Sequence, residues 1–198
     1  YRHIQKMSGS KPSIPVPFAL MIEGGAHADN NLAVQEFMIV PMHFSTFKDA
    51  IRAVSEIYHM IKEDSAGKFG KNSTNVGFEG GFALPLNNTR EALVAINKAI
   101  EESGYSGKVK LALEAAASQF FRGKYMIDEK ALTAEQLVDY WSDLSKTFPI
   151  ISIEDPFAEE DFDSFAMLKA KAKRLLIVGA ALTLTNPARI RKAVEKDS

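Results

Sequence analysis

The sequence contains no cysteine. That excludes a disulfide framework, a thiolate metal site and a cysteine nucleophile. It fits a reducing compartment, and a cytoplasmic location is the expectation. No apolar run approaches the ~20 residues that a membrane-spanning helix needs. The opening Tyr1-Arg2-His3-Ile4 is not a signal peptide and lacks an initiator methionine, so a piece of a longer chain is expected. No charge sign dominates: 24 Lys and Arg stand against 25 Asp and Glu. Neither nucleic acid nor a membrane surface is therefore an expected partner. The basic stretch Lys169 to Arg174 reads as a solvated helix end. What remains is 46% apolar residues in 198, a composition that builds one domain with a real core.

The pattern begins with two short strands, Phe18 to Ile22 and Phe37 to Val40, the second stopped by Pro41. The polar loop between them is short, which predicts antiparallel neighbours. Ser45 is the expected cap of a helix carrying Phe47, Ala50, Ile51, Val54, Ile57, Tyr58 and Ile61 at helical spacing. Residues 64–75 read as a loop. A second helix is predicted from about Thr89 to Ser103, with Gly104 as its stop. Strand and helix then alternate. Strands are predicted at Val109 to Leu113, Ile150 to Ile153 and Leu175 to Val178. Thr133 and Gln136 form a capping box, and Asn186-Pro187 opens a last helix. This rhythm predicts an α/β fold with a largely parallel sheet. An open sheet and a barrel both satisfy it, but about five strands fall short of a barrel's eight.

The predicted strand ends are rich in acids. Gln35-Glu36 precedes the second strand, Glu79 lies between glycine turns, and Glu114 and Glu154-Asp155 end later strands. Such carboxylates repel one another unless a hard cation such as Mg²⁺ neutralises them. Each alone has a plainer reading. A strand-edge acid is more often a solvated surface group, and His27 beside Gly24-Gly25 is more often structural than catalytic. His3, His43 and His59 form no cluster at metal-ligand spacing.

Together the segments say more. Residues 24–38 (Gly-Gly-Ala-His-Ala-Asp-Asn-Asn-Leu-Ala-Val-Gln-Glu-Phe-Met) closely resemble a signature of the enolases, the phosphopyruvate hydratases of glycolysis. So do Thr74 to Ala83, Leu113 to Ser118, Ser152 to Phe157 and Leu182 to Pro187, in the same order along the chain. The resemblance implies a partial TIM-type barrel of the enolase kind, ββαα followed by βα units. The family's amino-terminal capping domain and last barrel strands would lie outside residues 1–198.

It also implies a chemistry. Enolases dehydrate 2-phosphoglycerate to phosphoenolpyruvate with Mg²⁺, and are usually homodimers. By motif match His27 would sit on a closing loop. Glu36 and Glu79 would face the leaving hydroxyl, with Glu79 as general acid. Glu114, Glu154 and position 181 would hold the metal. Position 181 is alanine, in an Ala180-Ala181 pair where the family has two aspartates. Glu114 stands where the family has Asp, Glu23 for Asn, Phe78 for Asp and Gln119 for Glu. A methyl group ligates no cation, so the expectation is an enolase-family protein with weakened metal binding and defective turnover. A working lyase completed by further chain, and a non-catalytic binding or scaffold module, are the alternatives.

Overall fold

Apolar, β-branched and aromatic residues favour a half-buried pleated surface, and here they build most of one sheet. The computed structural model describes residues 1–198. A short helix α1 (Arg2–Ser8) precedes β1 (Ala19–Glu23) and β2 (Glu36–Pro41). Two helices follow, α2 (Phe47–Phe69) and α3 (Thr89–Glu102), and then β3 (Val109–Glu114). A small hairpin, β4 (Tyr125–Ile127) and β5 (Lys130–Leu132), leads into α4 (Ala134–Thr147). The rest is β6 (Ile150–Glu154), α5 (Phe162–Lys171), β7 (Leu176–Val178), a single turn α6 (Ala180–Thr183) and α7 (Pro187–Lys196).

The main sheet has the order β1-β2-β3-β6-β7. β2 runs antiparallel to β1 and β3, while β3, β6 and β7 are parallel. This is the ββαα-then-βα order expected of an enolase-type barrel, and the sheet is open rather than closed on itself. No helix is long and apolar enough to cross a membrane.

Local signals explain the helix boundaries. The Thr133–Gln136 capping box is formed in both directions, Asn186 caps α7 with Pro187 following, and Asn88 caps α3 by accepting from the Glu91 amide. Two expectations need correction. The cap of α2 is Thr46, not Ser45: the Thr46 hydroxyl accepts from the Asp49 amide at 3.1 Å. And 64–75 is not a loop. Helix α2 continues to Phe69 and a 3-10 turn covers Lys71–Thr74. The Ser73 hydroxyl ties that turn to the helix by donating to the Ser65 carbonyl at 2.9 Å.

The two faces of the sheet differ. One packs on α2 to α5 and supplies Phe37, Ile39, Val109, Leu111 and Leu113 to a core of 39 buried residues. Trp141, fully buried there, donates its indole N–H to the Pro156 carbonyl at 3.0 Å. The other face has a separate apolar cluster of only Met38, Val40 and Ala112, with Leu20 and Ile151 beside it. That second face would be a barrel's interior, and it carries the acids.

A row of carboxylates across four strand ends

Strand register sets the site. Glu23 pairs with Glu36, Glu36 with Glu114, and Glu114 with Glu154. Four consecutive strands thus present a glutamate at the same level, at the carboxyl ends of β1, β3 and β6 and the start of the reversed β2. Below this row lie Leu20, Met38, Ala112 and Ser152. Every glutamate has an apolar or small residue beneath it and other acids beside it.

This crowding changes proton affinities. Burial is the main cause that raises Glu36 from its ordinary 4.5 to about 9, helped by hydrogen bonds and charge from Glu79 and Glu114. Burial also raises Glu114 and Glu154, and in Glu154 the Glu114 charge adds to it. Glu79 moves the other way, lowered first by its hydrogen bond with Glu36 and then by His27. Glu36 therefore keeps a proton at neutral pH and offers it to an ionised Glu79. Two interacting carboxyls of this kind share one proton as a pair.

Glu79 stands on the turn that follows the 3-10 segment. The Gly81 carbonyl accepts from the Gly77 amide at 2.8 Å, and the Tyr58 hydroxyl donates to the Gly80 carbonyl at 2.8 Å. Gly77 must be glycine, because a Cβ there would collide with Glu23 Oε2 and the His27 carbonyl. His27 ends a 3-10 turn (Gly25–His27), with Nδ1 3.4 Å from Glu79 Oε2 and its ring against Phe78. The Phe78 amide donates to the His27 carbonyl at 3.0 Å. The structure thus brings His27, Glu36 and Glu79 to one end of the sheet.

The sequence reading passed over three residues here as site members. Glu23 is fully buried, and its Oε1 accepts from the Glu79 amide at 2.7 Å. Gln119 donates to Gln35 Oε1 at 2.9 Å and accepts from the Ala26 amide at 3.3 Å, tying the His27 turn to β2. Asp155 is buried in a left-handed conformation, and its carboxylate accepts from the Ala181 amide at 2.9 and 3.1 Å. An acid ending an apolar strand was visible at Glu23 in the sequence. Its burial was not.

Glu114, Glu154 and Asp155 each offer a carboxylate oxygen within 4.8 Å of the others. This all-oxygen set, partly desolvated, fits a hard divalent cation. Asp155 is already committed to the start of α6. At the end of β7, Ala180 and Ala181 present only methyl groups, so β7 itself contributes no side-chain oxygen to the site.

Comparison with known proteins agrees with this geometry. Residues 11–198 match the family model described as "Enolase, C-terminal TIM barrel domain". The chain is 48% identical over 183 residues to an enolase of Methanocaldococcus jannaschii, covering 92% of this chain and 43% of that one. It is 46% identical over 188 residues to an enolase of Methanococcoides burtonii, covering 94% and 44%. It is 43% identical over 199 residues to an enolase of Methanothrix thermoacetophila, covering 100% and 47%. The chain spans a little under half the length of these curated relatives.

Proposed function

This chain belongs to the enolase family, and from that premise we propose that it forms the first part of an enolase-type barrel with an impaired magnesium site. In that reading the amino-terminal capping domain and the last barrel strands lie outside residues 1–198, and a homodimer is its assembly. Glu114 and Glu154 would hold the ion, and 2-phosphoglycerate or phosphoenolpyruvate would bind over the carboxylate row. Magnesium bound there supplies electrostatic stabilisation of an enolate-like charge. The observation that carries the impairment is the Ala180-Ala181 pair at the end of β7. Losing a supporting ligand partner costs ~10–100-fold in affinity or activity, and losing a ligating carboxylate costs more.

The chain's own residues retain only the acid side of a dehydration, the proton donor to the departing hydroxyl; the base that takes the carbon-bound proton would have to come from chain outside residues 1–198. Glu36 holds a proton by burial, and Glu79, ionised and 40% exposed, faces outward to receive it. The pair delivers one proton to a departing hydroxyl, and it is the pair, rather than Glu79 alone, that acts as general acid. His27, on the turn hydrogen-bonded to the Glu79 turn, is placed to follow any movement of it. This retained machinery favours a second reading, a working lyase completed by further chain.

One experiment separates the two. The full-length protein is assayed for phosphoenolpyruvate formation from 2-phosphoglycerate with Mg²⁺. The impaired reading expects turnover at least 100-fold below an ordinary enolase, recovered in part by Ala180→Asp/Ala181→Asp. Turnover at ordinary enzyme rates of ~1–10³ s⁻¹ refutes it.

A further inference from the structure

The geometry points to a second cation site, separate from the magnesium position, in which Glu23, His27 and Glu79 bind one transition-metal ion of the Zn²⁺ class. It depends on these three residues and holds whether or not the lyase reading does.

Glu23 is the reason. It is fully buried at the end of β1, and one of its oxygens, Oε2, has no hydrogen-bond partner. The other is used by the Glu79 amide. A buried carboxylate oxygen left without a partner is costly, and such groups are normally paired or coordinate a metal. The motif resemblance places Asn here, whose amide would offer an N–H₂ group where Glu23 offers only oxygen. The second unpartnered atom is His27 Nδ1, also buried. Two orphan atoms in one small space, both able to donate electron pairs, describe a site for a positive charge.

The distances fit. One ligand atom from each of Glu23, His27 and Glu79 lies within 4.8 Å of the others. His27 Nδ1 and Glu79 Oε2 are 3.4 Å apart. Tetrahedral Zn²⁺ with bonds of ~2.0–2.2 Å places neighbouring ligand atoms about 3.4 Å apart. The remaining pairs lie within the same 4.8 Å. An imidazole with two carboxylates selects against Mg²⁺ and Ca²⁺, which take oxygen, and for Zn²⁺ or its neighbours. Three protein ligands leave a fourth coordination position for water. A proton is the competing way to settle Glu23, since burial raises its affinity.

The test is calorimetric titration of the full chain with Zn²⁺, with visible absorption of a Co²⁺ complex as a second readout. The double variant Glu114→Gln/Glu154→Gln disables the strand-end cluster and serves as background. The expected result is one equivalent bound in that background, weakened at least tenfold by adding either Glu23→Gln or His27→Asn. Glu23→Gln keeps the acceptor for the Glu79 amide. His27→Asn changes a partly exposed turn outside the strands, so the conclusion stands even if the substitution of the fully buried Glu23 unfolds the chain. Absence of binding in the background overturns the proposal. So does binding that survives His27→Asn, or that survives a folded Glu23→Gln.

Discussion

The two faces of the main sheet obey different rules. The outer face follows the binary pattern: β2 turns Phe37 and Ile39 outward, both fully buried among helices. The inner face takes the alternate residues of the same strand, Glu36, Met38 and Val40, of which Met38 and Val40 join Ala112 in a cluster of only three buried apolar residues. Outside, side-chain size and fit decide stability. Inside, acids crowd at one level, from the fully buried Glu23 to the partly buried Glu36, Glu114 and Glu154, and proton affinity and charge decide. One strand therefore teaches both how this fold is held together and where its chemistry is concentrated.

The sharpest way to break this contrast is to truncate neighbouring residues of β2. Phe37→Ala removes a fully buried ring from the large cluster and should cost about 3–5 kcal/mol of unfolding free energy. Met38→Ala, one residue away on the open face, should cost about 1 kcal/mol, below the usual range for a buried methionine. Chemical denaturation of the two variants measures both. Equal losses would show that the inner face is as well packed as the outer.

Next in size is a change at the end of β7. Ala180→Asp/Ala181→Asp supplies an oxygen where the row now meets a methyl. Magnesium affinity should rise by about tenfold or more by calorimetry. Without magnesium the same variant should melt at lower temperature, because the new charge lies beside the buried Asp155. An unchanged affinity would mean that Glu114 and Glu154 already satisfy the ion.

The acid row also sets a pH dependence that the outer face lacks. Glu36 rises from 4.5 unfolded to about 9 folded. Between those values the folded chain holds a proton that the unfolded chain has released. Metal-free stability must therefore fall as pH rises through this window. Glu114 and Glu154, also raised, push in the same direction. Glu79, lowered, acts only below its ordinary value, outside the window. Melting temperature should drop steadily between about pH 5 and 8. Glu36→Gln, which keeps a hydrogen-bond donor toward Glu79 without a titrating group, should flatten much of that slope. A slope equal to the parent's would assign it elsewhere.

Much of the outer face was legible in the sequence, because caps and periodicity are local. Thr133 with Gln136 and Asn186 with Pro187 needed no tertiary information. The error at Ser45 arose because two adjacent hydroxyls precede the helix, and only Thr46 stands three residues before the amide it caps. The β4–β5 hairpin went unread because its turn residues, Asp128 and Glu129, take positive φ without the usual Asn-Gly signal. Asp128 is held there by tertiary bonds from Thr89 and Tyr140. The inner face was legible only as motifs. That Glu36, Glu79 and His27 belong to one site follows from resemblance, and the structure supplies the 3.4 Å between His27 and Glu79. That Glu23 is buried with an unpaired oxygen depends on strand register, which no local pattern encodes.

The smallest expected effect tests the open edge of the same face. Leu176 on β7 pairs with Ser152 in the layer below the glutamates, yet it is 57% exposed. A leucine in that layer of a closed barrel touches side chains from several strands, and its truncation costs about 2–5 kcal/mol. In residues 1–198 taken alone, Leu176→Ala should change unfolding free energy by no more than about 0.5 kcal/mol, because little of its surface is removed from water. In a longer chain whose further strands cover β7, the same substitution should cost the larger amount. Denaturation of both forms distinguishes them. Near-equal small losses would mean that no later strand packs on this edge, and that the inner face remains open in the intact protein.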